Sequence, residues 1–297
     1  MLDRVATGLL AIGLTGCVPA PLEPHLSRGV PPADLVAACG GKDGWDDPAP
    51  PARLHGSTYY VGTCGITSLL IATERGHVLI DGGTIAGGIL IAHNIRSLGL
   101  DPRDVRWILS THEHFDHAGG IAELLRVTGA KVAAMGPAVE VLRTGKPALD
   151  DPQSGVLPLM IPARVSRVLR DGDAIKLGSL TMIAHATPGH APGSTSWVWR
   201  SCEPDGCKDI AYVDSVSAIS DKQYRYTAHP GYVAEFRHSL DKIEALPCDI
   251  LITPHPAASN FFARLAQGLG NAGDCLRYAE RGRAGLAARM AEEAAEK

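Results

Sequence analysis

The sequence predicts an α/β fold in which two sheets pack together and helices cover the outside. Two successive parts of the chain each run from strands into helices. In the first, apolar runs at 66–72 and 77–81 form a hairpin and lead into a helix near 86–98. In the second, three or four strands between 165 and 199 precede a helical pattern at 233–246. Because each sheet must bury one apolar face, two such parts are expected to pack sheet against sheet.

The remaining elements fall between and after these parts. Val105–Leu109 is a short buried strand, and Ile121–Thr128 is a helix that begins after a Gly-Gly pair. Residues 145–163 lack periodicity and predict a long loop, which in a domain of this size is usually functional. A late buried strand at 249–252 and a helical tail from Asp274 complete the chain.

Length, composition and charge limit the classes of function. The chain has 297 residues, of which 45% are hydrophobic and 20% charged, as in an ordinary globular enzyme. One large core accounts for this length, and nothing in the sequence requires more than a monomer. The net charge of −4 provides no basic surface, so we expect no nucleic-acid partner. No apolar run has the length that a bilayer span requires.

The N-terminus has the pattern of an export signal. An arginine precedes an apolar stretch at 5–14, and a Leu-Thr-Gly-Cys box follows that ends at Cys17. The sequence therefore predicts a signal peptide over 1–17, with a lipid on Cys17 as the possible membrane attachment and a plain cleaved signal as the alternative. A proline-rich tether over 18–38 and a single domain over 39–297 follow. Either form of the signal places the protein in the periplasm.

The cysteines agree with export. Without Cys17, six of the seven cysteines remain, and an even set in an exported protein predicts disulfides, although six cysteines allow many pairings. Proximity favours one short clip across a turn, and two further bridges would tie the terminal regions to the core. The pairs expected on this basis are Cys39–Cys64, Cys202–Cys207 and Cys248–Cys275.

One hexapeptide, His-Glu-His-Phe-Asp-His at 112–117, has four metal-capable side chains in six positions. It directly follows the strand that ends at Leu109. Because His112 and His114 are two residues apart, a tight loop lets both imidazoles converge on one cation. The adjacent Asp116 and His117 can then turn toward a second cation. Imidazole nitrogen with some carboxylate oxygen is a donor set that zinc prefers.

Two further histidines complete these sets. His190 lies in a Thr-Pro-Gly-His turn between strands, and His255 follows the late buried strand. Side chains at strand ends are often placed there for function. Three protein ligands for each zinc leave a coordination position for water, which is typical of catalytic rather than structural sites. One set is His112, His114 and His190, and the other is Asp116, His117 and His255.

These motifs carry a family resemblance. The H-x-H-x-D-H hexapeptide followed by Gly-Gly, the T-P-G-H turn that ends at His190 and the strand-end His255 resemble the metallo-β-lactamase superfamily over about residues 55–270. The resemblance implies an αββα sandwich: two mixed sheets with helices on both outer faces and the metal site at one sheet edge. It also implies two Zn²⁺ per chain.

Within that superfamily the chain is most similar to subclass B3 metallo-β-lactamases. The complete histidine set, the segment at 187–197 and Asp214-Ser215-Val216-Ser217 carry this similarity, and the cysteine ligand of subclass B1 is missing. By resemblance, Ser215 and Ser217 hold the substrate carboxylate. Gln153, in the long loop, is a further expected substrate contact, with a solvated loop glutamine as the alternative.

The resemblance also implies an activity, the hydrolysis of the β-lactam amide bond of penicillins, cephalosporins and carbapenems, which gives antibiotic resistance. A hydroxide shared by the two zinc ions attacks the lactam carbonyl. Asp116 would orient this nucleophile while it binds metal. The expected partner is therefore a small β-lactam molecule.

Two alternatives stay open at this point. Another hydrolase of the superfamily, such as a glyoxalase-II-like thioesterase or a lactonase, uses an aspartate that bridges both metals, and Asp214 stands where such a residue could fall. A non-catalytic zinc-binding surface lipoprotein would have the same ligands in a closed site. Export, disulfides and the Asp-Ser-x-Ser segment favour the β-lactamase.

Overall fold

The computed structural model describes residues 29–271 and 273–296, and its first sheet contains seven strands in chain order. The strands are β1 (Ala52–His55), β2 (Thr58–Tyr60), β3 (Leu69–Thr73), β4 (Gly76–Ile80), β5 (Val105–Leu109), β6 (Lys131–Met135) and β7 (Val165–Leu169). Strands β1 to β4 pair antiparallel, whereas β4 to β7 pair parallel. The sheet is therefore mixed, and its parallel half brings the carboxyl ends of β4 and β5 to the same edge.

Five strands form the second sheet. They are β8 (Ala174–Leu177), β9 (Leu180–Ala186), β10 (Thr195–Glu203), β11 (Gly206–Tyr212) and β12 (Ile250–Ile252). The spatial order is β12-β11-β10-β9-β8, antiparallel except for the β11–β12 pair, which is parallel. This parallel pair brings the end of the last strand beside the end of β11.

Within the described residues the chain forms eight α-helices. They are α1 (Pro32–Ala38), α2 (Ile85–Ser97), α3 (Phe115–Ala118), α4 (Ile121–Thr128), α5 (Gly136–Thr144), α6 (Pro230–Glu244), α7 (Phe261–Ala266) and α8 (Asp274–Ala295). Short 3₁₀ turns lie at Pro102–Asp104, Tyr226–Ala228 and Pro256–Ser259. None of the helices in the described ranges has the length and apolar character needed to cross a membrane.

Three apolar clusters show how the layers pack. The first lies between the sheets, where Trp197 and Trp199 of β10 are fully buried. The second lies between the first sheet and helices α2 and α4, and the third between the second sheet and helices α6 and α8. Each sheet thus buries both faces, one against the other sheet and one against helices. The order of layers is αββα, which confirms the predicted fold class.

Most of the predicted elements are present. The hairpin, the strand Val105–Leu109, the helix Ile121–Thr128 and the helical tail are confirmed, and no helix or strand lies between Thr144 and Val165. The three disulfides have the predicted pairing: Cys39–Cys64, Cys202–Cys207 and Cys248–Cys275.

The predicted tether is wrong in its last part. Residues 32–38 form α1, and Leu35 on this helix is fully buried in the core between the sheets. Proline is compatible with the first turn of a helix, because the N–H that it lacks would have no partner there. Packing on the domain already begins at Val30, whose N–H donates to Pro51 O at 2.9 Å. The signal peptide and Cys17 lie outside the described residues.

Candidate active site

The metal-binding hexapeptide is fixed to the edge of the first sheet by backbone contacts. It begins three residues after β5, and its second half forms the short helix α3. Gly82 N–H donates to His117 O at 2.7 Å, and Gly120 N–H donates to Gly83 O at 2.9 Å. A Cβ on Gly120 would lie 2.2 Å from Gly82 O, so only glycine allows this close approach. The Gly-Gly pair therefore has a structural reason to follow the hexapeptide.

The first predicted ligand set is brought together. The imidazoles of His112, His114 and His190 are buried, and each offers a ring nitrogen within 4.8 Å of the nitrogens of the other two. Their ring centroids lie 4.6 to 4.9 Å apart. One of these nitrogens, His112 Nε2, is buried and has no hydrogen-bond partner among the described residues. A cation at the centre of the three rings would satisfy it.

In each of the three rings the other nitrogen is held by an oxygen. His112 Nδ1 lies 2.8 Å from Asp214 Oδ1, His114 Nε2 lies 2.9 Å from Asp151 Oδ2, and His190 Nδ1 lies 3.0 Å from Ser217 O. Such contacts fix the tautomer and the ring orientation of a metal-binding histidine. The nitrogens left for a metal are thus Nε2 of His112, Nδ1 of His114 and Nε2 of His190.

In the second predicted ligand set, the candidate ligand atoms lie close to one another. Asp116 Oδ2 lies 3.1 Å from His117 Nε2 and 3.2 Å from His255 Nε2, and the two nitrogens are 3.2 Å apart. Zinc-to-ligand distances of about 2.0–2.1 Å in a tetrahedron place neighbouring ligand atoms about 3.3 Å apart. The three atoms therefore fit three corners of a zinc tetrahedron. The His255 side chain is 31% exposed, so the fourth corner is open to solvent.

The two cation positions are adjacent. The ring centroid of His112, in the first set, is 4.3 Å from that of His117, in the second. His112 also offers a nitrogen within 4.8 Å of ligand atoms of Asp116 and His117. One substrate group or one water molecule can therefore reach both positions.

Asp81 supports the second set from behind. Its carboxylate lies 3.6 Å from His117 Nδ1 and accepts hydrogen bonds from Thr111 N–H at 2.7 Å, Thr111 Oγ1 at 2.8 Å and Tyr212 OH at 2.8 Å. The residue is fully buried, and its φ of 65° lies in the left-handed region. In the sequence, this aspartate is recognisable only as the end of the predicted hairpin.

Asp151 and Glu113 are further site residues that the sequence analysis did not assign. Asp151, two residues before Gln153 in the long loop, carries the contact to His114. Glu113 Oε1 accepts Gly193 N–H at 2.8 Å, which joins the hexapeptide to the His190 turn. Burial raises the pKa of Glu113 to about 7. Glu113 could have been suspected because it lies inside the metal-binding hexapeptide. Asp151 lies in the long loop, and nothing in the sequence around it shows that it contacts His114.

The predicted substrate residues lie close to the second set. Ser215 and Ser217 line a cavity of about 630 Å³ that reaches His255. Ser217 Oγ is 3.0 Å from His190 Nδ1, so this serine also contacts a candidate metal ligand. Gln153 lies in the long loop and does not line this cavity. Its backbone N–H donates to Asp151 Oδ1 at 2.7 Å, and its side-chain nitrogen has no partner among the described residues.

The contact between Asp151 and His114 leads to a prediction. Replacing Asp151 by alanine should lower the affinity for the first metal about 10- to 100-fold, because the buried imidazole of His114 loses the acceptor that orients it. Metal affinity can be measured by competition with a chromophoric chelator. Asp150→Ala, at the neighbouring exposed residue, is the matched control and should leave affinity unchanged. An unchanged affinity in Asp151→Ala would show that His114 is oriented by other contacts.

Fold and site together define a class of protein. Two adjacent candidate cation positions, each surrounded by three protein side chains, lie at one edge of an αββα sandwich, and the second reaches solvent beside His255. Open three-ligand positions are catalytic, and pairs of metal ions activate water for hydrolysis. The molecule is a metal-dependent hydrolase with a binuclear site.

Comparisons with known proteins give the family. Residues 61–203 match the model of the metallo-beta-lactamase superfamily. The structure superposes with a TM-score of 0.87 on the metallo-β-lactamase MIM-1 from Novosphingobium pentaromativorans, which is 51% identical (89% of this chain and 99% of that one). The TM-score is 0.84 for MEM-A1, a subclass B3 enzyme from a soil metagenome library, which is 44% identical (86% and 100% covered). It is 0.78 for BJP-1, a subclass B3 enzyme of Bradyrhizobium japonicum, which is 30% identical (85% and 97% covered). The chain belongs to the metallo-β-lactamase superfamily, and these relatives place it with the subclass B3 metallo-β-lactamases.

Relatives named for another activity match a smaller part of this chain than the β-lactamases do. A hydroxyacylglutathione hydrolase from Anaeromyxobacter dehalogenans is 31% identical over 133 residues, which are 44% of this chain and 41% of that protein. One from Maricaulis maris is 34% identical over 141 residues, or 47% and 43%. The chain thus matches less than half of the length of these curated relatives.

Proposed function

We propose that this chain is a zinc-dependent β-lactamase that hydrolyses the amide bond of penicillins, cephalosporins and carbapenems and so gives antibiotic resistance. The observation that carries the proposal is the pair of adjacent three-ligand clusters, whose second member has the atom spacing of a zinc tetrahedron. The relatives of 40–51% identity that are named metallo-β-lactamases support the choice of substrate.

The donor set supports two Zn²⁺ per chain. Five imidazole nitrogens and one carboxylate oxygen form the two clusters, and zinc prefers this combination over the oxygen-only sets of magnesium or calcium. Zinc bound there would supply a water molecule acidified to a pKa of about 7 and a Lewis acid for the carbonyl oxygen of the substrate.

The protein's own residues position the reactants. We assign Asp116 two roles, as a metal ligand and as the group that orients the attacking water, because its carboxylate lies between His117 and His255. Ser215 and Ser217 stand beside the exposed side of His255, where the carboxylate of a β-lactam would lie. We also propose Gln153, whose backbone N–H contacts Asp151 in the long loop, as a candidate substrate contact.

The position of Asp214 bears on the thioesterase alternative. Its Oδ1 contacts His112 at Nδ1, which is the nitrogen that faces away from the other two imidazoles of the first set. A bridging aspartate would instead place an oxygen between the two cation positions. This contact favours the lactamase, although the hydroxyacylglutathione hydrolases among the relatives keep thioester cleavage as the second candidate. The exposure of His255 argues against a closed, non-catalytic zinc site.

The three disulfides support export, because such bonds persist in oxidising compartments. We propose a periplasmic protein with residues 1–17 as the signal, the single folded domain through residue 297 and a lipid on Cys17 as its attachment to the membrane. We further propose that the domain acts as a monomer on a small-molecule substrate.

Chelation tests the proposed function. Zinc-loaded protein is incubated with a penicillin, a cephalosporin and a carbapenem, and loss of lactam absorbance is followed. We expect turnover that dipicolinate or EDTA abolishes and added zinc restores, because both water activation and carbonyl polarisation need the metal. A hydroxyacyl thioester and a lactone are assayed in parallel. Cleavage of either of these substrates without lactam hydrolysis would contradict the proposal.

A further inference from the structure

The long loop at 145–163 carries the aspartate that faces the first metal position. Asp151 Oδ2 lies 2.9 Å from His114 Nε2, and both residues are buried. The loop itself contains no helix or strand, and several of its apolar side chains are exposed, namely Leu149, Val156, Leu159 and Ile161. Because exposed side chains bury little apolar surface, these four contribute little to holding the loop. Other contacts must keep Asp151 in place.

Asp221 holds the middle of this loop by two hydrogen bonds. Gly155 N–H donates to Asp221 Oδ2 at 2.8 Å, and Asp221 N–H donates to Pro152 O at 2.8 Å. In the part of the chain that the structure describes, residues 148–159 form hydrogen bonds outside the loop only with His114 and Asp221. The two bonds from Asp221 therefore clamp the backbone that directly follows Asp151.

The two carboxylate oxygens of Asp221 have different partners. Oδ1 accepts the backbone N–H groups of Gln223 at 2.8 Å and of Tyr224 at 2.9 Å, whereas Oδ2 accepts Gly155 N–H. The N–H groups of Tyr224 and Gly155 hold the pKa of Asp221 below its ordinary value, so the side chain is ionised at neutral pH. Hydrogen bonds to an ionised acceptor are stronger than those between neutral groups. One oxygen thus builds the residue's own turn, and the other reaches the long loop.

The segment that contains Asp221 is itself fixed to α8. Arg289 Nη2 donates to Ser220 Oγ at 2.8 Å, directly before Asp221 in the chain. Glu293, which is buried, accepts Tyr226 N–H at 2.9 Å shortly after it. Asp221 therefore lies between two attachments to the C-terminal helix and can act as a fixed support for the loop.

We propose that Asp221 is a positioning residue, whose carboxylate holds the long loop in the arrangement in which Asp151 faces His114. This inference rests on the proposed zinc site and adds to it a residue that touches neither metal nor substrate. Partners beyond the ligands set the orientation of a metal-binding imidazole, and the clamp at Asp221 acts on such a partner. Loss of the clamp should therefore weaken the first metal position through Asp151.

Asp221→Asn removes the contact to the loop and keeps the local turn. Asparagine retains one acceptor oxygen, which can still accept the N–H groups of Gln223 and Tyr224. In that rotamer its amide NH₂ faces Gly155 N–H, so two donors meet and the hydrogen bond to the loop is lost.

Asp249→Asn is the matched control. Asp249 Oδ2 likewise accepts a backbone N–H from another segment, that of Asp209 at 2.8 Å. The residue stands directly before β12, whereas His255 follows the other end of this strand. The control thus loses the same kind of contact away from the metal edge.

Hydrogen exchange of the purified full chain, followed by mass spectrometry, tests the clamp without zinc or turnover. Peptides that cover residues 152–157 should exchange about tenfold faster in Asp221→Asn than in the wild type, because the loop opens more readily without its support. Asp249→Asn should leave their exchange unchanged. Gly155→Ala tests the same contact from the loop, since its Cβ would lie 2.7 Å from Asp221 Oδ2. Wild-type exchange in both Asp221→Asn and Gly155→Ala would overturn the proposal.

Zinc affinity, measured by competition with a chromophoric chelator, tests the path through Asp151. Asp221→Asn should weaken the same zinc dissociation constant that Asp151→Ala weakens, by about three- to tenfold. In the double variant Asp151→Ala/Asp221→Asn the second change should add less than about twofold, because residues in one network are not additive. A full additional loss in the double variant would overturn the positioning role.

Excess zinc separates a positioning residue from a catalytic one. At saturating zinc, kcat of Asp221→Asn should return to within about twofold of the wild type, because the reacting groups are unchanged. A kcat that stays low with both zinc ions bound would contradict the assignment. If Asp221→Asn lost its far-UV circular dichroism, Gly155→Ala, at an exposed loop position, would provide the same measurements. Failure of the wild type to bind zinc would refute the proposed function, whereas the exchange experiment would still decide the clamp.

Discussion

Replacing His114 by alanine should reduce kcat/KM for β-lactams at least about a thousandfold, or about 4 kcal/mol in transition-state free energy. The first metal position would keep only two of its three protein ligands, and the buried Asp151 carboxylate would lose its partner at 2.9 Å. Metal content, measured by mass spectrometry after dialysis, should fall from two ions per chain to about one. The far-UV circular dichroism spectrum should be unchanged, because the three apolar clusters do not include this residue.

His93→Ala is a suitable control for that experiment. His93 is an exposed residue of α2 whose ring, among the described residues, has a hydrogen-bond contact only to Ser97 at 3.4 Å, so activity and metal content should stay at the wild-type level. If His114→Ala retained two metal ions and more than about a tenth of the activity, the assignment of His114 as a ligand would be wrong.

Replacing Asp81 by alanine should lower the free energy of unfolding by about 3–5 kcal/mol. The change would leave the Thr111 N–H and hydroxyl and the Tyr212 hydroxyl without their shared acceptor in a fully buried site. It also places a residue with a Cβ but no polar side chain at a φ of 65°, where aspartate and asparagine are better tolerated. Urea unfolding of the zinc-free variant and wild type measures the loss.

Asp81→Asn separates the loss of hydrogen-bond acceptors and backbone tolerance from the loss of the negative charge. Asparagine keeps one acceptor oxygen and tolerates the backbone conformation, so its loss of stability should be less than half of that in Asp81→Ala. Affinity for the second metal should fall in both variants, because neither provides a carboxylate opposite His117 Nδ1. Equal stability of Asp81→Ala and the wild type would show that other groups satisfy these donors.

The six candidate metal ligands could be predicted from the sequence because their signal is local. Four of the six stand in one hexapeptide, and the other two each follow a strand. Strands that are recognisable from their apolar runs end at the same sheet edge, so histidines after those ends are expected to meet. The αββα layers followed from the same runs together with the family resemblance, and the three clusters confirm them.

The residues that support the ligands could not be predicted in the same way. Asp151 is 37 residues from His114 and Asp214 is 102 residues from His112, and no local pattern shows which aspartate will face which imidazole. The helix α1 was missed for a related reason. Its prolines indicate a tether, whereas the burial of Leu35 between the sheets depends on tertiary packing.

The parallel pairing of β12 with β11 has a consequence for the order of assembly. Strand β12 is the last strand among the described residues, and His255 lies three residues after its end. Asp116 and His117 already stand at the edge of the first sheet, about 140 residues earlier, whereas the second candidate metal position gains its third side chain only when β12 docks. Long-range pairings of this kind form late in folding. Tight binding of the second metal ion would therefore require the complete fold. A chain that holds both ions would be one in which the last strand has already docked.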